Sequence, residues 1–143
     1  MTKSLNLDHN LVLSTPINTS MLTIKPITRD EYINDLMLFN HSLFIRPEWI
    51  DSICEGNKRP LYLNIYENGS LIGKIAGVVR RLVFFSQDVY FYSEPALKVY
   101  NQEALDTCLK ALMAYAKENR LVRVTFNYLD QQSLLIPGDE LGF

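Results

Sequence analysis

Five side chains in the middle of the sequence have the types that proton transfer and anion binding use: Arg80, Arg81, Tyr92, Glu94 and Tyr100. A carboxylate such as Glu94 can act as a general base toward an amine. Phenols such as Tyr92 and Tyr100 can donate to an oxyanion as it develops. The adjacent guanidinium groups of Arg80 and Arg81 can clamp a phosphate or a carboxylate. Each has a plainer reading. Glu94 is then an exposed loop acid, the tyrosines fill a half-buried sheet, and the two arginines are the solvated end of a strand.

Other reactive types are placed less promisingly. His41 and Ser42 are neighbours in the chain, and such neighbours seldom form a nucleophile–base pair without a third, distant group. His9 falls in a polar lead-in. Trp49, the one tryptophan, lies on the apolar face of a short helical pattern, where core packing competes with substrate stacking. Cys54 and Cys108 sit among apolar neighbours in helical patterns and read as reduced core thiols. A disulfide or metal site wants closer or more numerous partners, so no metal is expected. No H-E-x-x-H, P-loop or dinucleotide fingerprint occurs in the sequence.

The elements that must position these residues follow from local chemistry. Residues 1–20 are polar and weakly patterned, a flexible arm or an irregular lead-in strand. A single domain spans 21–143. Met21 to Pro26 reads as a strand ended by Pro26. Thr28 and Glu31 form a capping box, with Ile27 and Tyr32 placed for a hydrophobic staple. Tyr32, Ile33, Leu36 and Met37 then make an apolar stripe at helical spacing. Pro47 opens a second, short helix as its first residue, and Gly56 supplies a left-handed stop.

A hairpin follows. Leu61, Leu63 and Ile65 alternate with Tyr62, Asn64 and Tyr66, and Asn68-Gly69 is the preferred pair for a tight primed turn. The return strand runs from Ser70 to about Arg81, and its stretch Leu71 to Val79 is apolar on both faces apart from Lys74, so it belongs in the centre of the sheet. Gly73 and Gly77 within it point to a bulge or a close neighbour. Ser86-Gln87-Asp88 reads as a turn into Val89 to Tyr92. A long helix over 101–119 carries Ala104, Leu105, Cys108, Leu109, Leu112 and Ala116 on one face. Val122 to Tyr128 alternates, as a half-covered or edge strand does. The order predicts a mixed α+β sheet with a final strand returning parallel to the strand before the long helix.

Composition bounds the class. The chain has 143 residues, 48% hydrophobic and 21% charged, enough for one core. Its net charge of −2, with a pI near 5.6, lacks the basic balance that DNA binding demands. No stretch is apolar for long enough to span a bilayer, and no signal peptide opens the sequence. A cytoplasmic location is expected.

This order, together with short strings, resembles the N-terminal half of a GNAT-type N-acyltransferase, and the FemAB-like branch in particular. The strings are Phe44-Ile45-Arg46-Pro47-Glu48-Trp49, Asn68-Gly69-Ser70-Leu71-Ile72-Gly73, Tyr92-Ser93-Glu94-Pro95 and Leu141-Gly142-Phe143. The resemblance implies a mixed, mostly antiparallel sheet with helices on both faces, lacking the fold's last strands. It also implies acyl or aminoacyl transfer to an amine, with acyl-CoA or aminoacyl-tRNA as donor and a small molecule or peptidoglycan precursor as acceptor. Glu94 and Tyr92 are the catalytic candidates, and Arg80, Arg81 and Tyr100 the substrate-binding candidates. Residues 93–101 contain no glycine, whereas GNAT enzymes use a Gly-rich turn there to cradle the CoA pyrophosphate. The second reading is a non-catalytic assembly module, a homodimer formed through an open edge at Val122 to Tyr128. A third, weaker one is a small-molecule sensor using an aromatic-lined cleft.

Overall fold

The computed structural model describes residues 2–6 and 22–129, and the strings at 134–136 and 141–143, with His9 and Met21, lie outside the described residues. The strands are β1 (Thr2–Asn6), β2 (Leu22–Ile27), β3 (Lys58–Glu67), β4 (Ser70–Arg81), β5 (Gln87–Phe91), β6 (Ala96–Leu97) and β7 (Leu121–Asn127), and the helices are α1 (Arg29–Leu36), α2 (Pro47–Ile53) and α3 (Gln102–Glu118). The sheet runs β1-β7-β5-β4-β3-β2, with β6 also paired to β4. All pairings are antiparallel except that of β5 with β7, the parallel return expected after a crossover helix.

Local signals set most of these boundaries. Glu31 N–H donates to Thr28 Oγ1 at 3.2 Å while Thr28 N–H donates to Glu31 Oε1 at 3.1 Å, the reciprocal box that starts α1. The hydrogen bonds from the Thr28 backbone and side chain also hold the Glu31 carboxyl below its usual pKa. Asn68 and Gly69 take φ of 50° and 86°, which closes the β3–β4 hairpin in the primed geometry. One extra residue in β4, Ile72, shifts the register between Ile65↔Gly73 and Tyr66↔Leu71. At Gly77 a Cβ would stand 2.6 Å from both Phe91 Cδ1 and the Tyr90 carbonyl oxygen, so glycine lets β5 close on β4.

The helices cover both faces. Tyr62 of β3 meets Tyr32 of α1 with ring centroids 4.8 Å apart, and its hydroxyl donates to Asp51 of α2 at 3.1 Å. On the other face α3 packs over β2 and β7 and buries Leu105, Cys108, Leu112 and Ala116. Each fully buried leucine there contributes about 2 kcal/mol. Truncating Leu112, 1% exposed, would leave a cavity and cost about 3 kcal/mol.

Several sequence expectations are corrected. The strand read as ending at Pro26 runs on to Ile27, because β2 lies at the sheet's edge, where a missing N–H is tolerated. Ile33 and Met37 stay exposed, and Tyr32 and Leu36 carry the α1 contact. Helix α2 ends at Ile53, with Cys54 as its extended cap. Gly56, φ 63°, turns the chain into β3 rather than stopping the helix. The strand expected at an open edge, β7, is interior. It pairs with β5 on one side and, through Ser4↔Thr125 and its neighbours, with β1 on the other. Its residues Val124, Thr125 and Phe126 are consequently all buried.

Candidate functional site

Strand β5 leaves the sheet after Phe91, and the chain rejoins β4 only at Ala96 and Leu97. Between them Tyr92 to Pro95 bulges away at the point where the parallel β5–β7 ladder ends, at Phe91↔Phe126. The Tyr92 carbonyl still accepts from Leu129 N–H at 2.9 Å, which ties the end of β7 to the break. A break at the carboxyl end of a strand with a parallel neighbour is where open sheets leave room for ligands.

Glu94 and Tyr100 meet at this break. The Tyr100 hydroxyl lies 3.0 and 2.9 Å from the two Glu94 carboxylate oxygens and donates its single proton to the carboxylate between them. Glu94 is half-buried and Tyr100 is 59% exposed, so the pair faces solvent. A carboxylate placed so can accept a proton from an incoming group, and the adjacent phenol can hold its orientation.

Tyr92 belongs to a different row. Its ring packs edge-on against Trp49 at 5.3 Å and stacks with Tyr90 at 6.1 Å. Trp49 in turn meets Phe44 at 4.9 Å, and Arg80 lies over Tyr90 at 5.1 Å. Trp49 is thus half-buried core, packed against the sheet by α2. Burial, and secondarily the nearby Tyr90, push the Tyr92 phenol above its usual pKa, so it remains a proton donor well into alkaline solution.

The two arginines part company. Arg80 Nε and Nη2 bind Asp88 at 3.2 and 2.7 Å, and Arg123 Nη2 reaches the same carboxylate at 3.0 Å. Asp88 is fully buried and its hydrogen bond with Arg80 raises the guanidinium's pKa further. Arg80 therefore serves a structural ion pair. Arg81 is exposed and lines a cavity of about 420 Å³ with Lys58, Arg59 and Gln87. This cavity lies at the carboxyl end of β4, away from Glu94, because the chain after Glu94 rejoins β4 at Lys74, seven residues before Arg81.

Two polar clusters were not legible as such. Asp88 read as a turn residue and proves to be the buried hub of two guanidiniums. Lys74 is completely buried: its ammonium donates to Asn64 Oδ1 at 2.7 Å, lies 5.1 Å from the Tyr32 ring centre, and meets Asp35 Oδ1 at 2.5 Å. That last contact is an ion pair between a wholly buried cation and a part-buried carboxylate. A lone cation inside an apolar run was the available signal, since a buried charge needs partners. His41 accepts from Arg46 Nε at 3.1 Å through Nε2 and faces the Phe39 carbonyl through Nδ1. Both its nitrogens are engaged, and no contact joins it to Ser42, whose hydroxyl caps Phe44 N–H at 3.1 Å. Among the described residues, no group of three or more His, Cys, Asp or Glu could hold a metal ion. No helix among them is long and apolar enough to cross a membrane.

The start of α3 does not fit a pyrophosphate. Asn101 Oδ1 already takes the Ala104 N–H at 2.8 Å, and Glu103 stands in the first turn. With Glu94 a few residues away, an anion would meet two carboxylates and a filled cap.

No family model matches the sequence, and no curated protein matches it. Among solved structures it is similar to a GCN5-related N-acetyltransferase from Anabaena variabilis, with a TM-score of 0.49 and 14% identity, over 95% of this chain and 35% of that one. The chain thus spans well under half the length of that structure.

Proposed function

We propose that the chain is an N-acyltransferase-like domain in which Glu94 is the general base toward an amine and Tyr100 orients it. The observation that carries this reading is the Glu94–Tyr100 pair, set at the strand break where the parallel ladder ends and open to solvent. In the step proposed, the amine nitrogen attacks the acyl carbonyl. The new C–N bond forms, the bond to the donor's leaving oxygen breaks, and the amine proton passes to Glu94 while the leaving group takes up a proton. Tyr92, a catalytic candidate by type, packs in the aromatic row with Trp49 and Tyr90, so the proton for the leaving group is taken from solvent in this reading. The filled cap of α3 disfavours acyl-CoA held there by its pyrophosphate, which leaves an acyl ester such as aminoacyl-tRNA as the other donor to test.

Thermal melting in the presence of each donor tests this. Aminoacyl-tRNA should raise the melting temperature and acetyl-CoA should leave it unchanged. A folded chain that responds to neither would overturn the reading. If transfer to an amine acceptor is seen, Glu94→Gln should slow it by about a hundredfold or more.

The assembly-module reading now has less to stand on, because β7 is paired on both sides by β5 and β1. Among the described strands a dimer formed through the sheet would use β1 or β2, and sedimentation of the chain at rising concentration reports on it directly.

A further inference from the structure

The end of the sheet away from Glu94 carries a surface that the acyltransfer reading does not use. Between β4 and β5 the chain makes a tight turn, Leu82 to Ser86. Its three central side chains point into solvent: Val83 is 75%, Phe84 94% and Phe85 92% exposed. Isolated exposed apolar residues are ordinary, but three in succession at a loop tip are not. Phe84 and Phe85 also take φ of 59° and 64°, a left-handed conformation unfavourable for bulky side chains. Hydrogen bonds hold the turn closed. Leu82 N–H donates to the Ser86 carbonyl at 2.7 Å, and Ser86 donates to the Val83 carbonyl from its N–H at 3.3 Å and its hydroxyl at 2.8 Å. The tip is therefore a preformed apolar wedge, closed at its base by these hydrogen bonds and shallow enough to rest at the wet headgroup boundary.

Cations surround its base. Lys58, Arg59 and Arg81 are exposed and line the 420 Å³ cavity, whose lining contains no acid. Arg120 turns at the same end, beside the Gln87↔Leu121 pair. The acid nearest the loop in sequence, Asp88, is buried and already bound by Arg80 and Arg123.

We propose that this end of the sheet is a peripheral membrane-binding surface: Val83, Phe84 and Phe85 enter the boundary between headgroups and acyl chains of an anionic bilayer, while Lys58, Arg59 and Arg81 meet its lipid phosphates. Aromatic side chains settle at that depth, and basic residues near an anionic surface add to the attraction. An anionic bilayer presents an apolar layer beneath a continuous plane of phosphates, and so matches the wedge and the cations together. The surface requires no spanning helix. It is also separate from Glu94, which lies past the far end of β5.

Flotation of the full chain with vesicles tests the proposal. The chain should bind equimolar phosphatidylcholine–phosphatidylserine vesicles, bind phosphatidylcholine vesicles much less, and be released by added salt. Phe84→Asn with Phe85→Asn should lower binding at least about tenfold, and asparagine keeps the left-handed turn accessible so the fold is retained. Lys58→Gln with Arg81→Gln should lower it about fivefold per charge removed. Phe84→Trp should bind as the parent does. Circular dichroism checks that each variant is folded. No binding of the parent chain to the anionic vesicles overturns the proposal, as does undiminished binding of the double Asn variant. Self-association that the double Asn variant abolishes, without vesicle binding, would assign the wedge to a protein contact instead and equally overturn it.

Discussion

At one end of β5 Asp88 lies wholly buried between the guanidiniums of Arg80 and Arg123, and just past its other end Glu94 lies half-exposed against the hydroxyl of Tyr100. Both are carboxylates next to hydrogen-bond donors on the same length of chain, six residues apart. They differ in what the sheet does around them. Asp88 is inside β5, where its neighbours β4 and β7 each supply an arginine and water is excluded. Its oxygens are committed to the two arginines and no substrate can reach them. Glu94 falls where β5 has left β4 and the ladder with β7 has ended. The strand break, more than the residue type, is what makes a carboxylate available for chemistry. The loops invert the pattern: the connection beside the sealed acid turns apolar side chains outward, whereas the one carrying the available acid packs Tyr92 and Ser93 inward.

Removing Asp88 should have the largest effect. Asp88→Ala leaves two guanidiniums facing an apolar gap and should cost about 3 kcal/mol, near the low end for a broken buried pair because both arginines keep some contact with water. Urea denaturation measures it, and a loss under about 1 kcal/mol would mean that Asp88 is not the hub described. The arginines come next. Arg80→Ala should cost about 1–2 kcal/mol through its two hydrogen bonds, while Arg81→Ala should stay within about 0.5 kcal/mol. Equal losses would erase the distinction between the structural and the exposed arginine. Glu94→Gln should likewise move stability by no more than about 0.5 kcal/mol. A larger loss would make Glu94 a second structural acid and remove the contrast altogether.

How much of this was legible depends on how far apart the interacting residues are in the chain. Thr28 and Glu31, Asn68 and Gly69, Pro47, and the apolar face of α3 encode their structure within a few residues, and the sequence reads them correctly. Gly73 and Gly77 announced a close neighbour without saying which; it is β6 at one and β5 at the other. The pairing of Ser4 with Thr125 spans nearly the whole chain, and nothing local in a polar lead-in specifies it. It is this pairing that turns β7 from an edge into an interior strand. Asp88 was misread for the same reason: a Ser-Gln-Asp string looks like a turn until Arg80 and Arg123 are brought to it from two other strands. Of the site, Glu94 and Tyr100 were legible as types and the structure joins them. Tyr92 and Arg80 were legible too, but their side chains serve the aromatic row and the buried pair.

The smallest expected effect concerns Tyr92, whose place in the aromatic row can be tested through its proton. Burial raises the phenol's folded-state pKa above the ordinary value of 10.0, with Tyr90 adding to the shift and Arg80 opposing it. Above that value the unfolded chain loses this proton while the folded chain keeps it, so the folded state binds more protons and stability falls as pH rises. The contribution is fully present below pH 10 and is lost through the folded-state pKa above it. Tyr32, Tyr62 and Tyr115 are shifted in the same direction, chiefly by burial, so the parent chain should weaken steeply in alkali. Tyr92→Phe removes one of these contributions and keeps the ring against Trp49. Its stability should therefore fall less than the parent's between about pH 9 and about pH 11, read as the difference in urea midpoints. Identical slopes for the two proteins would place the Tyr92 hydroxyl in open water, and with it take Tyr92 out of the half-buried aromatic row with Trp49 and Tyr90.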